Sequence, residues 1–201
     1  MSKLSEKGSL DFLEKSGFKV VRREFFSTRF GLRNSLKKVG IPCVLKVSGK
    51  NLVSKGQSKL AKDFQNYTCF IKDFKRLKKM DGFEGVLVKK IVFGREFSVL
   101  VKRNEFLEYS LSISQIQSNE EGLKAISSKS FPITKDKLKK MFNESKFSKD
   151  FSKRGRKVLE DFLIELCSKI KENSKIYSVD INSLFVNEKS PIIVNASVLL
   201  G

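Results

Sequence analysis

The sequence predicts an α/β chain, and three observations predict it. Residues 4–47 alternate helix and strand patterns; residues 85–116 carry three consecutive strand patterns; and two amphipathic helix patterns then lead to a closing pair of strands. The 201 residues suit one or two domains with a sizeable core. With 40% hydrophobic and 31% charged residues, there is enough apolar material to pack, so general disorder is not expected.

Each element has its own warrant. Residues 4–16 read as a helix, with Ser5 able to cap it, Leu10 and Leu13 on one face, Phe12 nearby and Gly17 where a helix ends. Residues 18–22 (FKVVR) read as a strand, 28–39 as a second helix closed by Gly40, and 42–47 (PCVLKV) as a short apolar strand carrying one lysine. The basic, loop-like 48–59 leads into Phe64, Tyr67, Ile71, Phe74 and Lys78, whose 3-4-3-4 spacing is helical and ends near Asp81-Gly82. Residues 85–92, 96–102 and 106–116 read as a three-stranded meander, the last with period-2 alternation. Residues 134–142 and 152–172 are amphipathic helices, the second with Val158, Leu159, Phe162, Leu163 and Leu166 to one side. Strands at 179–186 and 192–200 flank a turn at 187–190.

Composition excludes a good deal of chemistry. The chain has no histidine, so Ser-His-Asp triads, His-ligated zinc or haem, a histidine general base and a phosphohistidine intermediate are all ruled out for it. Cys43, Cys69 and Cys167 are far apart and lack CxxC spacing, which points to reduced structural thiols. The start MSKLSEKGSLDF is charged from its third residue, and no apolar run approaches the ~20 residues a membrane-spanning helix needs, so a cytoplasmic protein with no membrane partner is expected.

Against 22 Asp and Glu stand 41 Lys and Arg, for a formal charge of +19. Residues 129–157 alone hold 11 basic and 3 acidic side chains. Such a balance predicts weak, sequence-indifferent adhesion to polyanions. No RNP motif, zinc finger or helix-turn-helix pattern accompanies it. The 18 Phe against 3 Tyr and no Trp, with abundant Lys, Ser, Ile and Asn, also match what A/T-rich codons produce, a source of lysine that needs no ligand.

Three segments in register resemble the ATP-grasp subunit or domain of the NDP-forming acyl-CoA synthetases, relatives of the succinyl-CoA ligase beta subunit. LSEKGSLDFLEKSGFKV followed by KKVGIPCVLKV is similar to the family's opening helix and its G-x-P-V-V-L-K strand. GVLVKKIVFGREFSVLVKRN is similar to its G-V-L-V-Q-E-M-V-x-G-x-E-x-x-V-G-V-K-R-D hairpin, and VDINSLFVNEKSPIIVNASVLL to its closing D-I-N-P-L and L-D-A-R strands. The resemblance implies two lobes with mixed or antiparallel sheets flanked by helices, a smaller one over 1–83 and a larger one over 84–201. It further implies Mg-ATP or Mg-ADP as cofactor and a possible CoA-binding alpha-type subunit or homo-oligomer as partner.

Phosphoryl transfer needs cations on the phosphates, a carboxylate near the nucleotide and hard oxygen ligands for Mg²⁺. By the resemblance, Lys46 matches the lysine that reaches the phosphates, Lys55 retains a loop lysine, and Glu96 takes a nucleotide-binding position. Asp180 and Asn182, two apart on a strand, share a face; Asn182 matches the family's metal-ligand Asn, and Asn195 stands where it has Asp. Without the flanking match, Lys46 reads equally well as a strand lysine pointing at solvent.

The departures are equally specific. Ser54 replaces the mobile histidine of H-K-S-D-V-G-G, and Lys59-Leu60 its glycine pair. Lys89-Lys90 replaces the Q-E of the adenine pocket, putting donors where an acceptor is expected. Leu111-Ser112-Ile113-Ser114 replaces G-L-G-G. Two function classes therefore stand side by side: a ligase subunit of acid–thiol chemistry, and a catalytically degenerate relative acting as a binding or assembly module. A basic nucleic-acid binder on the same fold is the weaker third.

Overall fold

A computed structural model describes residues 1–49, 58–61, 72, 74, 76, 78–79, 81–116, 123–144 and 151–201. Its contacts divide into two units: Met1–Leu4, Ser9–Val20 and Phe93–Gly201 form one, and Ser5–Gly8 with Val21–Val92 the other.

The first unit is built on a six-stranded sheet in the order β1-β10-β9-β6-β7-β8. Its strands are β1 (Ser2–Lys3), β6 (Arg95–Arg103), β7 (Tyr109–Ile116), β8 (Leu123–Ser130), β9 (Ile176–Val186) and β10 (Pro191–Leu200), and every ladder is antiparallel. Alternate residues Phe97, Val99 and Val101 of β6 face a single core with Val179, Ile181 and Leu184 of β9, where a register irregularity separates the last two. Onto it fold α1 (Glu6–Lys15) through Leu10 and Leu13, α3 (Lys135–Glu144) through Leu138, Met141 and Phe142, and α4 (Lys153–Glu172) through Leu159, Leu163 and Leu166. Ser152 caps α4, its Oγ accepting from the Gly155 amide at 3.0 Å, and Thr134 caps α3 through the Lys137 amide at 3.2 Å. Tyr109, buried in the same core, donates its hydroxyl to the Ile176 carbonyl at 2.7 Å.

The second unit is a four-stranded sheet in the order β2-β5-β3-β4, from β2 (Arg23–Phe26), β3 (Cys43–Gly49), β4 (Ser58–Ala61) and β5 (Phe83–Lys90). Its core gathers Phe26, Cys43, Leu45, Phe74, Val86 and Val88 with Leu36 and Val39 of α2 (Arg29–Val39). Thr28 caps α2 and Gly40, at φ 85°, ends it by donating its amide to the Leu36 carbonyl at 2.7 Å.

Two expectations change. The strand expected over 18–22 forms at Arg23–Phe26 instead, while Val20 makes only an isolated parallel bridge to Ile193. FKVVR is apolar because Phe18 and Val21 are buried, not because it enters a ladder. The three strands read as one meander divide between two sheets: β5 pairs with β2 and β3, and the meander is β6-β7-β8. β8 escaped notice because LKAISSKS has too little apolar content to announce a strand. Leu111 to Ser114, which stand where the family has G-L-G-G, lie inside β7 as the strand expected over 106–116 has them, and pair with β6. The helix expected around 64–78 falls mostly outside the described residues, of which Lys72, Phe74 and Arg76 are helical.

Cys167 on α4 is 4% exposed, and burial pushes its thiol up to about 12. At pH 8 the reactive thiolate is then roughly one part in ten thousand. Peptide-resolved alkylation at that pH should label Cys167 at least about a hundredfold more slowly in the folded protein than in urea. Equal rates would show that α4 does not pack as described.

Candidate functional site

On β3 the side chains alternate, with Cys43 and Leu45 in the core and Lys46 and Ser48 on the opposite face. The β3–β5 register sets Lys46 against Leu87, Ser48 against Gly85 and Val44 against Lys89, so Lys46 and Lys89 are diagonal neighbours. This face is covered. Lys46 is 7% exposed and Lys89 3%. What holds them is Glu6, in the first turn of α1, whose Oε2 lies 2.5 Å from Lys46 Nζ and whose Oε1 pairs with Lys89 Nζ. Ser5 caps that turn, accepting the Gly8 amide at 3.2 Å, and the helix N-terminus favours the carboxylate there.

Two ammonium groups thus share one carboxylate out of water. Burial pulls the Lys89 ammonium below its ordinary value; Glu6 opposes this by charge and hydrogen bond, while Lys46 and Arg23 reinforce it. Ser48 Oγ is buried and, among the described residues, has no hydrogen-bond partner. Gly85 is required where it stands: a Cβ would come within 2.4 Å of the Phe25 ring and 2.6 Å of the Phe26 carbonyl oxygen.

The first unit carries the carboxylates and amides. Glu96, half-buried on β6, accepts from Ser183 Oγ through Oε1. Ser183 follows Asn182 on β9 and lies opposite Asn195 on β10, with register irregularities on both sides of Asn195. Asp180, opposite Ser197, is beside Leu100 of β6. With the Asn182 amide turned so that its nitrogen faces Asp180, it donates to Oδ1 at 2.5 Å, to Oδ2 at 3.0 Å and to the carbonyl oxygen at 3.2 Å. Turned the other way, the same groups converge as oxygens, a set that suits a hard cation. Burial pushes the Asp180 carboxyl above its ordinary value, and the Lys3 charge pulls it back in part. Among the described residues no three His, Cys, Asp or Glu side chains cluster as metal ligands, so a metal here would rest on Asp180 with amide oxygens.

Of the residues the sequence nominated, Asp180 and Asn182 come together, Glu96 and Asn195 both neighbour Ser183, and Lys46 is buried beside Lys89. Lys55, like Ser54, lies outside the described residues. Glu6 and Ser48 were missed. The only signal for Glu6 was an acidic residue directly after a cap, which does not reveal partners 40 and 83 positions away.

The ATP-grasp domain family matches residues 1–200. An Archaeoglobus fulgidus protein described as an ADP-forming acetate–CoA ligase II is 26% identical over 98% of this chain, which spans only 30% of that protein's length. Among solved structures, Pyrococcus horikoshii PH1788 superposes with a TM-score of 0.85 at 20% identity, covering 100% of this chain and 92% of that one. An acetyl-coenzyme A synthetase from Ca. Korarchaeum cryptofilum, in complex with coenzyme A and Mg-AMPPCP, gives 0.76 at 18% identity over 99% and 93%. Among the described residues no helix is long and apolar enough to cross a membrane.

Proposed function

Because the chain belongs to the ATP-grasp domain family, we propose that it binds Mg-ATP or Mg-ADP as the nucleotide-binding part of an NDP-forming acyl-CoA synthetase. Acid–thiol ligase chemistry would then be completed with a CoA-binding alpha-type subunit or within a homo-oligomer. The observation that carries this reading is the burial of Lys46. A strand lysine with no ligand to serve reaches solvent at no cost, whereas desolvating an ammonium costs several kcal/mol; here two are buried side by side. A compact ammonium is suited to nucleotide phosphates.

The remaining assignments rest on donor chemistry. Glu96 has one carboxylate oxygen on Ser183 and the other without a hydrogen bond among the described residues, which suits a hydroxyl of the nucleotide. Asp180, Asn182 and Asn195 would hold Mg²⁺, which neutralises phosphate charge when bound. Lys55 would add a loop cation to the phosphates.

A second reading, in which binding persists and turnover has been lost, is favoured by the absence of histidine from the chain and by Asn195 in place of a carboxylate. Both readings require nucleotide binding. The +19 charge adds weak adhesion to any polyanion in either case.

Mg-ATP or Mg-ADP at about 100 times its Kd should add about 2.7 kcal/mol to stability, a rise of roughly 5–10 °C in Tm for a chain of this size. Lys46→Ala should weaken binding about tenfold and take about 1.4 kcal/mol from that gain. No shift in the parent at millimolar nucleotide would remove the nucleotide-binding reading. Equal shifts in parent and mutant would remove Lys46 from the site.

The metal assignment has its own check. Asn195→Asp adds a formal charge on β10 opposite Ser183 and, if Asn195 helps hold Mg²⁺, should increase the ratio of nucleotide affinity with Mg²⁺ to that without, measured by calorimetry. An unchanged ratio in a folded variant would make the β9–β10 amides structural only.

A further inference from the structure

At the end of β6 away from Glu96, the chain turns back into β7 through Asn104, Glu105, Phe106, Leu107 and Glu108. Three hydrogen bonds close the turn. The Asn104 amide donates to the Glu108 carbonyl at 2.7 Å, the Leu107 amide to the Asn104 carbonyl at 3.1 Å, and Asn104 Oδ1 accepts the Glu108 amide at 2.8 Å. Arg103 adds a tie, its Nε donating to the Leu107 carbonyl at 3.3 Å while its guanidinium lies over the Tyr109 ring. In hairpins closed this way the residue after the tight turn is left-handed, a position suited to glycine. Leu107 holds it at φ 63°.

That leucine is 64% exposed and its neighbour Phe106 76%, so packing within the chain does not offset the backbone strain. A strained residue held by a rigid turn, with two large apolar side chains in water, marks a surface made for contact. Because the turn is already ordered, docking it costs little entropy. Glu105 and Glu108 flank the apolar pair, both exposed and neither carboxylate paired among the described residues, on a chain of charge +19. Acidic flanks disfavour anionic lipid and nucleic acid and favour a basic protein surface. Such a surface lies at the same end of the sheet. The Phe131 amide donates to the Tyr109 carbonyl at 2.9 Å, the two rings are 5.4 Å apart, and α3 begins four residues later. There Pro132 is exposed, Phe131 and Ile133 are half-buried, and the exposed Lys135 and Lys139 lie one helical turn apart, Lys139 at the 4.0 Å limit of pairing with Asp136.

We propose that the chain pairs with a second copy through this end of the six-stranded sheet. The Phe106–Leu107 tip of each copy rests on residues 131–133 of the other, and Glu105 and Glu108 meet its Lys135 and Lys139. Tip and receiving surface are neighbours in one copy, so a two-fold axis between them satisfies both at once and closes the assembly as a dimer. At physiological ionic strength, charges more than about 8 Å apart are largely screened, so the overall repulsion of two basic chains fades while contact pairs persist. The dimer gives a surface to the homo-oligomer of the reading above without depending on nucleotide. The tip lies about 23 Å along β6 from Glu96, so the dimer leaves that end free.

The test is sedimentation of the full chain at physiological ionic strength up to about 0.5 mM, with denaturant midpoints measured at dilution. The parent should dimerise reversibly. Phe106→Ser should weaken the dimer about tenfold or more with an unchanged midpoint. Leu107→Gly should weaken it while raising the midpoint, because glycine relieves the left-handed strain. The double variants Glu105→Lys with Glu108→Lys, and Lys135→Glu with Lys139→Glu, should each lose self-association, and mixing the two should restore a dimer. A parent that stays monomeric overturns the proposal, as do tip variants that dimerise like the parent, a mixture that stays monomeric, or a lower midpoint in Leu107→Gly. Mg-ATP affinity, titrated in parallel, should be the same in Phe106→Ser as in the parent; a parent that dimerises but binds no nucleotide would remove the nucleotide reading and leave the dimer standing.

Discussion

One carboxylate held between two buried ammonium groups is the constraint around which the second unit is arranged. Glu6 can reach Lys46 and Lys89 only if the first turn of α1 lies against the face of the four-stranded sheet opposite its core. The lysines can share it only if β3 and β5 keep the register that makes them diagonal neighbours. Gly85 belongs to the same constraint, since any side chain there would drive the Phe25 ring and the backbone of β2 away from β5. The arrangement is costly, because desolvated charges are recovered only through their partners.

The first unit is governed by more ordinary physics. Its core-facing residues follow strand and helix periodicity closely, so most of it was legible: the capped helices α3 and α4, the hairpin β9–β10 and the strands β6 and β7 stand where spacing and caps place them. What was not legible depends on distance in sequence. That Ser2–Lys3 would extend the sheet beyond β10, or that β5 would leave its neighbour β6 for another sheet, is fixed by pairing across the chain and leaves no local trace. β8 has serines and lysines where a strand announces itself with branched apolar residues. Arg23–Phe26 lost the strand assignment to the more apolar residues just before it, which are buried as single side chains.

The candidate residues were partly readable for a related reason. Asp180 and Asn182 share a face because strands alternate, which needs only two positions and no fold. The significance of Lys46 could not be read locally, since a strand lysine and a buried phosphate lysine are identical in sequence. The pairing of Lys89 with Glu6, across 83 positions of sequence, left no local trace either.

The most direct measurement is a structure of the full chain with Mg²⁺ and a non-hydrolysable ATP analogue. Phosphate oxygens within hydrogen-bonding reach of Lys46 Nζ are the result this account predicts. Analogue bound away from Lys46 would contradict it.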